Sequence, residues 1–381
     1  MKIAKINGYH LAFTLPEPLA NSVQTLKSRE FLLVEIITDS GLRGWGETYS
    51  TPHASAGFIR SRAASGLLGQ NPMETGRLYQ TMCSRMGYDR RGASIMGVAA
   101  VDIALHDIRA RALGVPVCDL LGGALRDKLF AYASAPFLKV GGDQYRDFTR
   151  DTDELLQKGY RGFKPRTGAS PAADGKAMTA MRRQVGDDAA LMVDVNRGYT
   201  AHAAIEAARR MDEAGLLWME EPVTPEDIPG YQAVSRAVPF AVSGGEALGS
   251  LAAFREFFQA GTFSIAQPDP CVCGGFTGLS RIAALADAFG IPVMPHVFGT
   301  LVNFHASMQA GAVLREHRGG GPMPYPYIEM DVTYNPLLTL CGEIPLSSDG
   351  TMTVPRTPGL GFELDARQLE PWLTGQWSES L

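Results

Sequence analysis

The chain has few cysteines for its length, and their arrangement argues against a disulfide-stabilised secreted scaffold. Five are scattered through 381 residues: Cys83, Cys118, Cys271, Cys273 and Cys341. An odd, scattered set in a long chain is typical of reduced thiols, so we expect a cytoplasmic protein. The Cys271-Val-Cys273 pair has no second pair nearby, which argues against a zinc site.

The sequence also lacks a basic excess and any long hydrophobic run. The formal net charge is −5 and the isoelectric point is about 5.9, so nucleic acid is not an expected partner. No apolar stretch approaches the roughly 20 residues that span a bilayer, and no polybasic patch would attract a membrane surface. The first residues, MKIAKINGYHLAFTLPEP, lack an apolar core followed by a small-residue cleavage site, so we expect no signal peptide.

The length instead suits one large barrel and a smaller domain. Residues 1–125 read as an α+β domain, with strands first and helices after. The clearest helix, MGVAAVDIALHDIRARALG, has Val101, Leu105 and Ile108 on one face and ends at Gly114. The 42 glycines of the chain fit many tight turns between strands and helices.

From residue 126 to 355, short apolar runs alternate with helical stretches. Eight such runs occur: LFAYASA, YRGFKP, ALMVDV, LLWME, VPFAVSG, FSIAQP, IPVMPH and PYIEM. Unbroken apolar strands are expected where both faces of a parallel sheet are covered. Eight βα units predict an α/β fold of the TIM-type (β/α) barrel class, with a doubly wound sheet as the alternative on pattern alone. We expect the tail, residues 356–381, to pack back on the first domain.

Ionisable side chains recur where these apolar runs end. They are Lys164 and Arg166, then Asp194 with Asn196, then Glu220, Glu246, Asp269, His296 and Glu329. In a (β/α) barrel the carboxyl ends of the strands form one mouth, so these groups are expected to converge there. The alternative is that charges simply cap strands as they emerge into water, which fits any single position better than it fits the whole series.

Asp194, Glu220 and Glu246 follow three neighbouring strands and predict a divalent-metal site. Carboxylate oxygens are the ligands preferred by Mg²⁺, with Mn²⁺ as an alternative, and no His or Cys joins them to favour zinc. His296 is the only histidine at a strand end, and Asp269 comes one unit earlier. A carboxylate beside imidazole fixes the tautomer and favours proton abstraction near neutral pH. The alternative is a core histidine with a satisfied hydrogen bond.

The ordered series Lys-x-Arg, Asp-x-Asn, Glu-Glu-Pro, Gly-Glu, Gln-Pro-Asp, Pro-His and Ile-Glu resembles the enolase superfamily, mandelate racemase subgroup. The helix VDIALHDIRARALGVPVCDLLGG resembles the end of that family's N-terminal capping domain. QPDPCVCGGF and YIEMDVTYNPL are also similar to galactarolactone cycloisomerases. The resemblance implies a modified (β/α)7β barrel and Mg²⁺-dependent removal of the α-proton of a carboxylate, through an enediolate.

Roles for individual residues also follow from the resemblance. Asp194, Glu220 and Glu246 would be the metal ligands, and His296 with Asp269 the base dyad. Lys164 and Glu329 would bind the substrate carboxylate, with Arg166 beside them, and Asn196 is a further candidate for substrate contact. Apart from the resemblance, His53 is expected to reach the site from the other domain, because it lies in the loop YSTPHAS. The partner would be a small-molecule carboxylate, and we expect a homo-oligomer.

Arg166 departs from the racemase pattern, in which a second lysine is a base opposite the histidine. A guanidinium has a pKa above about 12 and rarely accepts a proton. With His296 as the sole base, the expected outcome is loss of a β-hydroxyl, which is the reaction of an acid-sugar dehydratase. A cycloisomerase that expels a lactone oxygen, a racemase or epimerase, and a non-catalytic ligand-binding relative stay open as alternatives.

Specificity in this family is chosen by loops of the capping domain, here expected at residues 15–30 and 48–57. They offer a polar set suited to hydroxyls or a second carboxylate: Glu17, Asn21, Lys27, Arg29 and His53. A metal-dependent hydrolase is not favoured, because the first barrel strand shows YASAPF and no His-x-His.

Overall fold

The computed structural model describes residues 1–381. Thirteen strands occur: β1 Ile3–Ala20, β2 Thr25–Thr38, β3 Arg43–Tyr49, β4 Lys128–Ala133, β5 Gly162–Phe163, β6 Ala190–Leu191, β7 Val193–Asp194, β8 Trp218–Glu220, β9 Ala241–Gly244, β10 Ile265–Ala266, β11 Tyr327–Met330, β12 Thr351–Thr353 and β13 Leu373–Ser380. None of the helices combines the length and the apolar character that a membrane crossing needs.

Twelve α-helices accompany the strands: α1 Pro52–Phe58, α2 Ala64–Leu67, α3 Thr75–Ser84, α4 Ala93–Leu113, α5 Val117–Leu120, α6 Phe148–Gln157, α7 Pro171–Val185, α8 Ala201–Arg210, α9 Ile228–Ala237, α10 Leu251–Ala260, α11 Gly275–Ala288 and α12 Leu301–Val313. A π-helical turn, Ile59–Ala63, joins α1 to α2, and 3₁₀ turns lie at Asp212–Ala214 and Ala366–Trp372. We propose a domain boundary near residue 125, because α5 ends at Leu120 and β4 begins at Lys128.

The first three strands form an antiparallel sheet that is covered on both faces. Because side chains alternate along a strand, Leu32 and Val34 pack under the helices of the same domain, and Phe31 and Leu33 join the core of the barrel. The run from Phe31 to Ile36 is therefore buried throughout. One hydrophobic core is shared by the capping sheet and the barrel.

Helix α4 lies directly on β3 and ends where the sequence predicts. Gly114 follows it in the left-handed conformation, with φ +71°. Close approach of the helix requires glycine in the strand, since a Cβ at Gly46 would come within 1.7 Å of the carbonyl oxygen of Ala100. This packing fixes the direction in which the end of β3 points toward the barrel.

The barrel is built from parallel ladders in the order β11, β4, β5, β6 and then β7, β8, β9, β10. A bridge between Arg166 and Asp194 joins the two runs, and a bridge between Ala266 and Val293 adds the seventh strand position. Seven helices, α6 to α12, separate eight strand positions, so the predicted (β/α)7β organisation is confirmed. The last seam, between Val293 and β11, carries no strand pairing, and Val297 N–H donates across it to Glu329 Oε2 at 3.2 Å.

The segment expected as a loop at residues 15–30 is mostly strand. β1 continues to Ala20 and β2 starts at Thr25, so only four residues turn at the tip. The register shifts between Thr14 and Leu19, around Pro16 and Pro18. Proline cannot donate to a ladder, and this irregularity accommodates both rings within a continuous hairpin.

The C-terminal tail returns to the first domain. β13 pairs antiparallel with β1, with Lys5 opposite Ser380 and Gly8 opposite Trp377. β12 pairs with β4 at the other end of the barrel. Both chain ends therefore lie in the sheet of the capping domain.

Candidate active site

Three carboxylates converge at the carboxyl ends of neighbouring barrel strands. Asp194 and Glu220 are the last residues of β7 and β8, and Glu246 follows β9 by two residues. One oxygen of each lies within 4.8 Å of the others. Asp194 and Glu220 are buried, and the side chain of Glu246 is 20% exposed. The register of three adjacent strands therefore produces the acidic triad that the sequence predicts.

Two cations from the end of β5 lie against this triad. Lys164 Nζ is 2.6 Å from Glu220 Oε1 and 2.8 Å from Glu329 Oε1. The guanidinium of Arg166 pairs with Asp194, and its other Nη donates to Ser134 Oγ at 2.9 Å. Because alternate residues of a strand point the same way, Lys-x-Arg places both charges on the barrel interior.

The buried cations and carboxylates of the site shift the pKa values of one another. Burial lowers the pKa of Arg166, but the carboxylates of Asp194 and Glu329 outweigh it and raise the pKa above its ordinary value. The pKa of Lys164 is likewise raised, because Glu220 and Glu329 outweigh burial. Burial raises the pKa of Glu329, but Lys164 and His296 outweigh it and leave the pKa below its usual range. Arg166 therefore remains a cation and is not a proton acceptor.

His296 and Asp269 form the hydrogen-bonded pair that their spacing predicts. His296 Nδ1 lies 2.8 Å from Asp269 Oδ2, and Nε2 lies 3.2 Å from Glu246 Oε2. Burial lowers the pKa of His296, but Glu246, Asp269 and Glu329 outweigh it and raise the pKa to about 10. Neutralisation of the charge on Glu246, which belongs to the acidic triad, would lower the pKa of His296.

The backbone is left-handed beside two of the three acids. Asn196 has φ +47° and Glu221 has φ +41°, which L-residues rarely adopt. Asn196 donates its N–H to Asp194 Oδ1 at 2.7 Å and its amide to Oδ2 at 2.8 Å. These two hydrogen bonds orient the carboxylate of Asp194.

A cavity of about 470 Å³ opens over these groups, between the capping domain and the barrel mouth. Of the predicted site residues, it is lined by Arg166, Asp194, Asn196, Glu246, His296 and, from the hairpin, Asn21 and Arg29. Lys164, Glu220, Asp269 and Glu329 do not line it and are fully buried, one layer further in. The predicted contact of Lys164 and Glu329 with a substrate carboxylate stays a prediction.

The expectation for His53 differs from the structure. Its exposed ring stacks on His10, with centroids 4.3 Å apart, and it is not among the residues that line the cavity. The neighbouring Pro52 faces the cavity in its place. Pro52 begins α1, and the helix turns the next side chain toward the strands of its own domain.

The hairpin contributes only part of the predicted polar set. Arg29 is 4% exposed, donates to Asp331 at 2.5 Å and lies over the ring of Phe298 at 4.0 Å. Lys27 is absent from the lining, and Glu17 pairs instead with Lys139 at 3.5 Å. Arg29 thus links the capping strand to the end of the barrel.

Three polar residues at the site are assigned no role from the sequence. Tyr49 donates to Asp269, Ser134 donates to Glu329 at 2.6 Å, and Gln267 donates to Glu220 at 2.5 Å. Ser134 and Gln267 each follow a barrel strand, as the ionisable groups do, so the strand-end rule could have included them. Tyr49 lies on the other domain, where no barrel pattern reaches it.

Comparison with known proteins places the chain in a family. Residues 6–122 match the mandelate racemase / muconate lactonizing enzyme N-terminal domain, and residues 147–368 match the enolase C-terminal domain-like family. The chain belongs to the mandelate racemase group of the enolase superfamily. The predicted resemblance and fold class are both confirmed.

Relatives within this superfamily cover nearly the whole chain. The D-galactarolactone cycloisomerase of Agrobacterium fabrum is 33% identical over 96% of this chain and 97% of its own length. The D-gluconate dehydratase of Thermoproteus tenax is 31% identical over 96% of this chain and 75% of its own. The crystal structure of the 3,6-anhydro-D-galactonate cycloisomerase from Zobellia galactanivorans is 31% identical, covers 98% of this chain and 100% of that one, and has a TM-score of 0.88.

A magnesium-bound relative bears on the acidic triad. The crystal structure of a racemase from Streptomyces coelicolor A3(2) with bound magnesium is 28% identical, with a TM-score of 0.87 over 98% of this chain and 100% of that one. Enzymes named as cycloisomerases, dehydratases and a racemase are thus all similar to this member of the superfamily. Family membership establishes an enzyme of this type and leaves the reaction class open.

Proposed function

We propose that this enzyme is a Mg²⁺-dependent lyase that removes the α-proton of a sugar acid and expels a β-hydroxyl as water. The observation that supports this proposal is that the site has a candidate base on only one side. His296 with its Asp269 partner faces the cavity on one side, and the position of a second base is occupied by Arg166 in an ion pair with Asp194.

The residues present fit a hard divalent cation. The donors are three carboxylates, and buried Oε2 of Glu246 has no hydrogen-bond partner, because His296 lies 3.2 Å away without hydrogen-bond geometry. Asp194, Glu220 and Glu246 would hold Mg²⁺, with Mn²⁺ as the alternative. When bound, the metal would supply positive charge against the oxygens of the substrate carboxylate.

The residues of the chain supply the remaining chemistry. His296 Nε2 takes the proton from the α-carbon, and the electron pair of the broken C–H bond moves onto the carboxylate to give the enediolate. Asp269 holds the Nδ1–H of the same ring, so it fixes the tautomer that leaves Nε2 free to accept. Arg166 offers guanidinium N–H groups to substrate oxygens at the cavity wall.

Elimination completes the balance of atoms and charge. The electron pair returns from the enediolate to form a carbon–carbon double bond, the β-carbon–oxygen bond breaks, and the departing hydroxide takes a proton to leave as water. The resulting enol tautomerises to a 2-keto-3-deoxy acid. The imidazolium of His296 can itself return the proton if hydroxyl and α-hydrogen leave from the same face.

A cycloisomerase is the second candidate, and a specific observation favours it. The Agrobacterium fabrum relative acts, by its name, on D-galactarolactone, and it matches 96% of this chain. The same base would serve, with a ring oxygen as the leaving group. A racemase is less favoured, because Arg166 stays protonated and cannot remove a proton from the opposite face.

Incubation with a panel of mono- and diacid sugars and their lactones, with and without Mg²⁺, tests the proposal. The products are followed by NMR in D₂O and by the semicarbazone of a keto acid. We expect a 2-keto-3-deoxy acid that forms only with metal. An epimer carrying solvent deuterium at the α-carbon, without keto acid, would overturn the dehydratase assignment. A keto acid formed only from lactones would favour the cycloisomerase.

A further inference from the structure

The carboxylate of Asp269 accepts four hydrogen bonds. Oδ1 accepts from Cys271 N–H at 2.7 Å and from the amide of Asn303 at 2.9 Å. Oδ2 accepts from His296 at 2.8 Å and from the hydroxyl of Tyr49 at 2.5 Å. Three of these donors belong to the barrel, and Tyr49 alone comes from the capping domain, at the last position of β3.

Tyr49 occupies the junction of the base dyad. Its hydroxyl oxygen lies 3.3 Å from His296 Nδ1 as well as 2.5 Å from Asp269 Oδ2, so the three polar groups form a compact triangle. The ring lies edge-on to Phe298 at 6.4 Å, and Tyr49 also lines the cavity. Burial and the adjacent charge of Asp269 raise the pKa of Tyr49, which keeps the phenol a donor.

The strand that carries Tyr49 is itself fixed to the barrel. Two residues earlier, buried Glu47 accepts from Thr300 N–H at 2.8 Å, from the Thr300 hydroxyl at 2.6 Å and from Asn303 N–H at 2.9 Å. Between them, the hydroxyl of Thr48 donates to the carbonyl oxygen of Cys271 at 3.0 Å. The same two barrel residues, Cys271 and Asn303, hold the other oxygen of Asp269. Cys271 and Asn303 therefore fix both the strand that carries the Tyr49 phenol and the carboxylate to which the phenol donates.

We propose that Tyr49 is a positioning residue for the base: by donating to Asp269 Oδ2 it fixes the carboxylate and, through it, the direction of the His296 ring. The inference rests on the proposed function, and it adds that the capping domain helps to build the base as well as to cover the substrate. The single hydroxyl proton of Tyr49 is committed to Asp269, so the phenol does not donate to the leaving group.

The substitution Tyr49→Phe removes the hydroxyl and keeps the ring. Partners that orient a functional group from behind typically contribute about 10–100-fold. We expect kcat to fall by that amount, with KM and the Mg²⁺ concentration for half-maximal activity changed by less than about twofold. A structural defect would instead lower the fraction of active enzyme together with thermal stability, leaving the kcat of correctly folded molecules unchanged.

Tyr9→Phe is the matched control. Tyr9 is also on the capping sheet and also donates to a buried carboxylate, Glu35 at 2.8 Å, but it does not line the cavity. We expect full kcat from this variant. Native kcat in Tyr49→Phe would overturn the proposal, and so would an equal loss of kcat in both variants.

A second readout needs no turnover and separates this inference from the proposed function. The ring N–H of His296 that donates to Asp269 should give a downfield proton signal, absent in His296→Asn. We expect this signal to shift or broaden in Tyr49→Phe and to be unchanged in Tyr9→Phe. An unchanged signal in Tyr49→Phe would overturn the inference. Absence of product from every acid tested with the native enzyme would overturn the proposed function alone.

Discussion

His296 and Glu246 meet at one point of the site, with Nε2 of the imidazole 3.2 Å from Oε2 of the carboxylate. The proposed base and a proposed metal ligand are therefore in direct contact. A divalent cation held by Glu246 would oppose the charge that holds a proton on His296. Metal binding and proton abstraction are expected to depend on each other for this reason.

Glu246→Gln should abolish stabilisation of the protein by Mg²⁺. A ligand that binds only the folded state at about 100 times its Kd adds roughly 2.7 kcal/mol to the free energy of unfolding. We expect Mg²⁺ to raise the Tm of the native enzyme and to leave that of Glu246→Gln unchanged in thermal scans. Glu256→Gln is the control, because Glu256 is 43% exposed on a surface helix and should keep the full effect. Undiminished stabilisation in Glu246→Gln would place the metal elsewhere.

Lys164→Met should destabilise the fold severely. Lys164 pairs with Glu220 and Glu329 at 2.6 and 2.8 Å, and all three side chains are buried. Removal of one member of a buried ionic group leaves uncompensated charge and costs about 3–5 kcal/mol. Urea unfolding of metal-free protein measures the change. Lys176→Met, on an exposed position of α7, should change the free energy of unfolding by less than about 0.5 kcal/mol. A similar small effect of Lys164→Met would contradict the pairing.

His305 should contribute to loss of stability in acid. Burial lowers its pKa to about 4, and Nδ1 lies 3.1 Å from the carbonyl oxygen of Leu360. The unfolded chain takes up a proton near pH 6.5 and the folded chain does so only near pH 4, so stability falls as pH drops through this window. The difference between the two pKa values corresponds to a loss of about 3 kcal/mol in the free energy of unfolding.

The substitution His305→Gln should remove this slope, as measured by urea unfolding between about pH 7 and pH 4. His202→Gln, at an exposed position of α8, should leave the slope intact. If the His305→Gln variant is as acid-sensitive as the native chain, the effect belongs to other groups.

Arg166→Lys should change the stereochemistry of the reaction. An ammonium can lose its proton and act as a base, and a guanidinium at this position cannot. We expect keto-acid formation to slow by roughly 100-fold, since the guanidinium contacts with substrate are lost. We also expect solvent deuterium and inversion at the α-carbon, which NMR in D₂O detects. Epimerisation by the native enzyme at the rate of elimination would contradict the role assigned to Arg166.

The sequence predicts the barrel and the placement of its strand-end side chains, for a physical reason. Each barrel strand is an apolar run that must end where the backbone reaches the mouth, so the first polar residue marks a site position. Asp194, Glu220 and His296 are found in this way. Asp194 and His296 line the cavity at the mouth, and Glu220 lies beside Asp194, one layer further in. The apolar run of each unit locates the end of its strand without information from other parts of the chain, because the eight strands repeat one geometry.

Contacts between the domains cannot be predicted in the same way. Tyr49 and Asp269 are 220 positions apart, and nothing in either segment specifies that they meet. The hairpin resembles a loop in sequence because Pro16 and Pro18 are typical of loops, and a register shift accommodates them within the strand. The position of His53 in the chain suggests that this side chain reaches the cavity. The structure shows that α1 begins at Pro52 and that Pro52, rather than His53, lines the cavity.

Turnover of an α-deuterated sugar acid by native enzyme and by His296→Asn tests the central claim most directly. We predict a normal primary isotope effect on kcat/KM for the Mg²⁺-loaded native enzyme. His296→Asn should lose about 10²–10⁴-fold in kcat while Mg²⁺ still raises its Tm, because the ligands remain. Retained turnover in His296→Asn with the native isotope effect would contradict the account.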